Sequence, residues 1–271
     1  MHRRQFIVGL GSAAAWPLAA CSQQDSRVRA LQLQILRLQA EGAAEKIGLS
    51  IKEIEKQMGW TTQLTWSAAT SEQRRFDGLR LLRQEPAITV FRQLDPSGKQ
   101  RFLTSRLGMV SGDDEHDYSH EPKFTEAVTK KFYYGPVYFE SPVSLERDSP
   151  KPYMTLSVAG LRLDAGVSIA EVSLKLVWDM VSQIKVGEHG QSYVIDADSR
   201  LIAHPDKSLV LSNADMTQLA QVRAARTAAV SGGEPVQEAK DILGRDVLTA
   251  FAPVMPLGWL VFVEIPIEEA K

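Results

Sequence analysis

Few residues in this chain have the type and spacing to carry chemistry. His204-Pro205-Asp206 sets an imidazole beside a carboxylate, His116 and His120 stand four apart amid Asp113, Asp114 and Asp117, and Cys21 is the one thiol. A lone histidine after a strand, with no second ligand at metal spacing, reads as a turn-capping or packing residue. The His116 and His120 group has a spacing that could hold a cation but reads as a solvated loop. Gly-x-Ser-x-Gly elbows, phosphate loops, nucleotide fingerprints and His-Glu-x-x-His motifs are absent from the sequence. The expectation is a protein that is not an enzyme, with no catalytic residues, no metal and no cofactor.

Composition narrows the partners. The formal charge is −2 over 271 residues, with lysines and arginines scattered, so nucleic acid is a poor partner. One cysteine allows no disulfide framework. A chain of this length removes roughly 75% of its unfolded surface from water and needs no such staple.

The N-terminus reads as an export signal over residues 1–21. Arg3-Arg4 precede an uncharged run from Phe6 to Ala20, too short and too rich in Gly, Ser and Ala for a membrane span of roughly 20 apolar residues. Arg-Arg-x-Phe-Ile resembles a twin-arginine signal, and Leu18-Ala19-Ala20-Cys21 resembles a lipobox whose cysteine takes a diacylglycerol. Two alternatives stay open. Cys21 is a chance cysteine beside a cleavage site, or the segment remains as an uncleaved weak anchor.

Elements that would position a site follow. From about residue 26 to 62 there is no proline, and Leu36, Ala40, Ala43, Ile47, Ile51, Ile54 and Met58 recur at three and four, which predicts one long amphipathic helix. Its narrow apolar stripe suits a coiled-coil partner or packing along the domain that follows. A second helix is expected over 71–83. Ile88-Thr89-Val90-Phe91 then opens a strand that turns at Asp95-Pro96-Ser97-Gly98 and returns over 101–107. The same grammar recurs about 100 residues later, in Tyr193-Val194-Ile195-Asp196 and Leu201-Ile202-Ala203-His204. Aligning Leu94-Asp95 with Ile195-Asp196 puts Lys99 opposite Arg200. Each hairpin precedes a further strand pair, 153–158 with 167–174 and 247–252 with 259–265. A short helix over 174–184 opens the second copy. Mixed helices and antiparallel strands give an α+β class built from a duplicated unit.

These residues resemble the double Cache sensor domain, a tandem of PAS-like units found outside the membrane in bacterial receptors. The resemblance covers residues 28 to 267. It is carried best by Gly190-Gln191-Ser192-Tyr193-Val194-Ile195-Asp196, by Arg200-Leu201-Ile202-Ala203-His204-Pro205-Asp206 and by Pro256-Leu257-Gly258-Trp259-Leu260-Val261-Phe262. Looser matches are Leu94 to Lys99, Tyr134-Gly135-Pro136-Val137-Tyr138-Phe139 and Pro152 to Leu156. The resemblance implies a long helix over 26–62, a membrane-distal unit over 63–174 and a membrane-proximal unit over 175–267, each an antiparallel sheet flanked by helices. It also implies a sensor at the periplasmic face of the inner membrane, as in adenylate or guanylate cyclase and histidine kinase receptors. Such a sensor binds an amino acid, organic acid or amine in the distal unit and forms a homodimer through the long helix. Membrane association would come from the lipid or the uncleaved signal. A stand-alone exported solute-binding lipoprotein is the alternative.

For a distal pocket, the side chains suited to the task are Arg106, Tyr134, Tyr138, Tyr153 and Glu171. Arginine grips a carboxylate bidentately, and tyrosine gives an apolar wall with one hydrogen-bonding tip. Glu171 falls where amino-acid-binding members of the family place an acid for an ammonium group. Their Arg-x-Trp-Tyr pattern before this strand is missing here.

Overall fold

The computed structural model describes residues 16–106, 116–140, 151–162, 164–231 and 237–270, with side chains from residue 27 onward except at 140 and 229–231. The chain opens with α1 (Trp16–Trp60), then α2 (Ser71–Gln84), β1 (Ile88–Leu94) and β2 (Gln100–Ser105). There follow α3 (Pro122–Lys130), β3 (Phe132–Glu140), β4 (Lys151–Ala159) and β5 (Val167–Ser173). The second half holds α4 (Lys175–Gln183), β6 (Gln191–Ile195), β7 (Leu201–Ala203), α5 (Lys207–Leu211) and α6 (Ala220–Ser231). It closes with β8 (Glu238–Lys240), β9 (Asp246–Val254) and β10 (Trp259–Pro266).

All strand pairings are antiparallel, and the two five-stranded sheets have one topology, β2-β1-β5-β4-β3 and β7-β6-β10-β9-β8. The fold is α+β, a long helix followed by two PAS-like sheets. The repeated hairpin turn explains the sequence echo. Asp95 N donates to Lys99 O at 3.0 Å and its Oδ1 accepts from the Ser97 and Lys99 amides; Asp196 makes the same bonds with Arg200 and Asp198. Gly98 closes the first turn at φ +88°, where a Cβ would lie 2.7 Å from the Ser119 backbone. Only glycine fits that approach.

Helix α1 joins the halves. Its stripe of Leu36, Ala40, Ala43, Ile47, Ile51, Ile54 and Met58 is buried, and with both sheets it forms one apolar cluster. At 1.5 Å per residue, 45 residues make a rod of roughly 67 Å. Gly48 interrupts the pattern for a packing reason, since a Cβ there would come within 3.0 Å of Met255 O in the β9–β10 turn. The other side of the rod leaves Leu31, Ile35, Leu38 and Leu49 exposed at 63%, 41%, 60% and 57%.

The first sheet has two unlike faces. Phe91, Met154, Leu156, Ala170 and Val172 turn toward α1. On the far face, Leu94, Ala159, Val167 and Ile169 pack with Phe124 and Ala127 of α3. Among the described residues that apolar cluster covers one end of the far face, and the polar site lies at the other.

Candidate functional site

Strand β5 is central in the first sheet, and Glu171 faces Val90 on β1 and Thr155 on β4 across the ladder. Period-two alternation puts Arg92, Glu171, Thr155, Tyr153 and Tyr138 on this one face. Glu171 Oε2 accepts from the Tyr138 hydroxyl at 2.6 Å and from Thr155 Oγ1 at 2.9 Å, and Oε1 accepts from the Arg92 guanidinium at 2.9 Å. The Tyr138 and Tyr153 rings stack 6.1 Å apart at 27°. The Arg92 and Glu171 side chains keep 21% and 15% of their surface exposed, so the ion pair is largely withdrawn from water yet reachable.

Of the five expected pocket residues, the structure brings Tyr138, Tyr153 and Glu171 together and places the other two elsewhere. Tyr134 and Tyr138 are four apart and in a regular strand would share a face. A register shift between Tyr134 and Val137, at Gly135-Pro136, inserts one extra residue and reverses the phase. Tyr134 therefore turns toward α1, where its hydroxyl donates to Glu55 at 2.6 Å. Burial pushes both groups' pKa up, with the Glu55 hydrogen bond adding to the shift at Tyr134. Arg106 donates to the carbonyls of Leu82, Glu85 (2.9 Å) and Ile88 (2.7 Å), satisfying the end of α2 and the entry to β1. Arg92 and Thr155 were not singled out from sequence. The alternation Val90, Arg92, Leu94 was the available signal for the first, and Thr155 shows only once the β4–β5 register is known.

The remaining candidates sit apart from this cluster. His116 pairs with Glu121 at 3.1 Å, and among the described residues no three His, Cys, Asp or Glu side chains could hold a metal ion. Asp113 and Asp114 lie outside the described residues. His204 Nδ1 accepts from the Asp206 amide at 2.9 Å, the turn-capping role its sequence context implies, and burial lowers its pKa. Trp178 and Trp259 are buried core anchors. Cys21 falls within α1, its side chain outside the described residues. Among the described residues no helix is long and apolar enough to cross a membrane.

The second sheet repeats the Glu–Thr pair. Val90 and Gln191 stand at the same distance before their hairpin turns, and their β5 and β10 partners are Glu171 and Glu264; across β4 and β9 these face Thr155 and Thr249. By the same alignment Tyr193 replaces Arg92. Here the carboxyl is fully buried beneath α6. Its Oε1 accepts from Tyr193 (2.8 Å), Gln221 (3.0 Å) and Thr249 (3.3 Å), while Oε2 has no partner among the described residues, the nearby Gln191 amide reaching Asp241 instead. Burial without a facing cation raises the Glu264 pKa. The folded state then holds a proton that the unfolded chain has released, so stability falls as pH rises from the ordinary value of 4.5 toward the raised one and is level above it. Glu264→Gln is expected to show a smaller fall than the unaltered chain when urea unfolding is followed between about pH 4.5 and 7, the buried Glu55 contributing the same fall to both. Parallel losses in the two proteins would assign the effect to another group.

A groove of about 800 Å³ runs between α1 and β9, lined among others by Leu33, Arg37, Leu38, Glu41, Ala228 and Phe251. It lies at the exposed stripe of α1, and the Arg37–Glu41 ion pair on its wall is solvent-exposed, unlike the Arg92–Glu171 pair.

Two antiparallel sheets of one topology strung on one long helix, with a polar cluster on the far face of the first, define a tandem α+β architecture. The profile of the Cache domain matches residues 22–271, and the chain belongs to that family. Solved structures agree on the fold. The sensory domain of the Campylobacter jejuni chemoreceptor Tlp3 superposes with a TM-score of 0.65 at 14% identity, covering 94% of this chain and 99% of that one. The ligand-binding domain of the Pseudomonas aeruginosa amino acid chemoreceptor PctC in complex with GABA gives 0.57 at 13%, covering 82% and 95%. An extracellular domain assigned to the histidine kinase mmHK1S-Z3 gives 0.67 at 16%, covering 88% and 96%. No curated protein matches the chain in sequence.

Proposed function

We propose that this chain is the extracytoplasmic small-molecule sensor of a bacterial signal-transduction receptor, taking its ligand at the Arg92, Tyr138, Tyr153, Thr155 and Glu171 cluster of the distal unit. The observation that carries this reading is the cluster itself. An ion pair and two stacked tyrosines are held on a sheet face whose other end is filled by apolar packing. Ligand-binding domains with this fold are described with L-valine, asparagine and GABA bound, which favours a small polar solute here. Binding would pull on the first sheet, and Tyr134, bonded to Glu55, ties that sheet to α1. A ligand shifts such a linkage only through unequal affinity for two arrangements. The exposed Leu31, Ile35, Leu38 and Leu49 fall on a three-and-four repeat, which suits a second copy of the chain seated along α1. Export with removal or lipidation at Cys21 completes the reading. The Leu18-Ala19-Ala20-Cys21 sequence also favours a second one, a lipidated exported binding protein.

Isothermal titration of the full chain against small amino acids, organic acids and amines tests the site. A binder is expected whose affinity falls at least roughly tenfold in Tyr153→Ala, since stacked aromatic contact contributes about a kcal/mol beyond its area. Sedimentation velocity of the same sample reads the dimer. Unchanged affinity in Tyr138→Ala and Tyr153→Ala would remove the site, and a monomer at all concentrations would remove the α1 pairing.

A further inference from the structure

We infer that the distal site selects small carboxylates without an ammonium group, and that Arg92 is the residue that sets this choice. The inference rests on the sensor reading above and narrows its ligand. It follows from a count of donors and acceptors. An ionised carboxylate offers two acceptor positions on each oxygen. Glu171 Oε2 has both filled, by Tyr138 at 2.6 Å and Thr155 at 2.9 Å, and Oε1 has one filled by Arg92 at 2.9 Å. One acceptor position remains, beside a guanidinium that repels any second cation. A ligand ammonium, with three donors and a full charge, would find this acid already neutralised.

The arginine is in the opposite condition. Of its five N–H donors, one bond is made among the described residues, to Glu171. Its side chain is one-fifth exposed, enough for a ligand to reach and little enough for screening to be weak. Glu171 holds the guanidinium in place while its planar fork still offers the two parallel donors that a carboxylate prefers. The stacked Tyr138 and Tyr153 rings give the adjoining wall, suited to a short carbon chain. The second unit shows the contrast. Where Arg92 would stand there is Tyr193, and Glu264 is surrounded by neutral donors and sealed off. In the first unit the cation is therefore the group left over for a ligand.

Matched pairs that differ only in the amine test this on the full chain by isothermal titration: propionate with L-alanine, butyrate with L-2-aminobutyrate, and succinate with L-aspartate. The acids are expected to bind at least roughly tenfold more tightly than their amino partners, the usual scale for losing or mispairing one charge-assisted contact. Arg92→Ala should abolish that preference, weakening the acids by tenfold or more and bringing amino acids level or ahead, because Glu171 is then free for an ammonium. Arg92→Lys should restore part of it, and near-equal melting temperatures would separate selectivity from folding. Amino partners that bind more tightly, with a ratio unchanged in Arg92→Ala, overturn the inference and leave the sensor site standing. Binding by no member of the panel overturns the site reading itself, and the inference with it.

Discussion

Tyr193→Ala is expected to lower the stability of the folded chain by about 3–5 kcal/mol, the range for removing a large aromatic from a packed core. Tyr193 is 1% exposed, its ring stacks on Phe262 with centroids 5.0 Å apart, and its hydroxyl donates to the buried Glu264 at 2.8 Å. Alanine therefore leaves a void and also removes one of three donors from a carboxyl that has no route to water. Tyr193→Phe separates the two, with an expected cost of about 1–2 kcal/mol for the lost hydrogen bond alone. Chemical denaturation with a shared m-value measures both. A loss below about 1 kcal/mol in the alanine variant would mean that α6 and β10 collapse onto the space, contrary to the packing described.

Glu171→Ala is the counterpart in the first unit and should act mainly on binding. Without the carboxylate, Arg92 loses its anchor, and Tyr138 and Thr155 lose their shared acceptor. Ligand affinity is expected to fall by at least roughly tenfold, since a guanidinium free to rotate no longer presents a fixed fork. Breaking a fully buried ion pair costs about 3–5 kcal/mol, but here the partners are 21% and 15% exposed and solvent recovers part of it. A stability cost of about 1–3 kcal/mol is the expectation. Titration calorimetry beside urea unfolding gives the two numbers. Unchanged affinity with lowered stability would make Glu171 a purely structural residue.

Much of the framework was legible because it depends on local rules. The α1 stripe from Leu36 to Met58 is periodic, and every member is buried as its spacing predicts. The duplication showed through the Asp95 and Asp196 turns, whose backbone geometry demands particular residues. The site was half legible, for reasons that are equally physical. Tyr138, Tyr153 and Glu171 lie on regular strand segments, where alternation fixes the face. Tyr134 could not be placed from its spacing, because the extra residue at Gly135-Pro136 is a property of pairing with β4. Arg106 has a side chain type suited to a ligand carboxylate, yet it bonds carbonyls some twenty residues away, which only the docking of α2 on the sheet creates. Helices α3, α5 and α6 and strand β8 are not legible as elements, and β3 shows only as a looser match to the family. They are short, interrupted or weakly patterned, and tertiary packing rather than propensity holds them.

The repeated Glu–Thr pair has a consequence for how the two halves have been free to change. The positions of Arg92 and Tyr193, and of Glu171 and Glu264, are copies of one another, yet one set lies at a solvent-reachable face and the other beneath a helix. After a duplication, one copy can be committed to holding the fold, and its residues then tolerate little. The other copy, relieved of that task, can exchange side chains at small cost to stability and acquire new selectivity. On this view substitutions around Arg92 should be the cheap ones, and those around Tyr193 the expensive ones, within a single ancestral pattern.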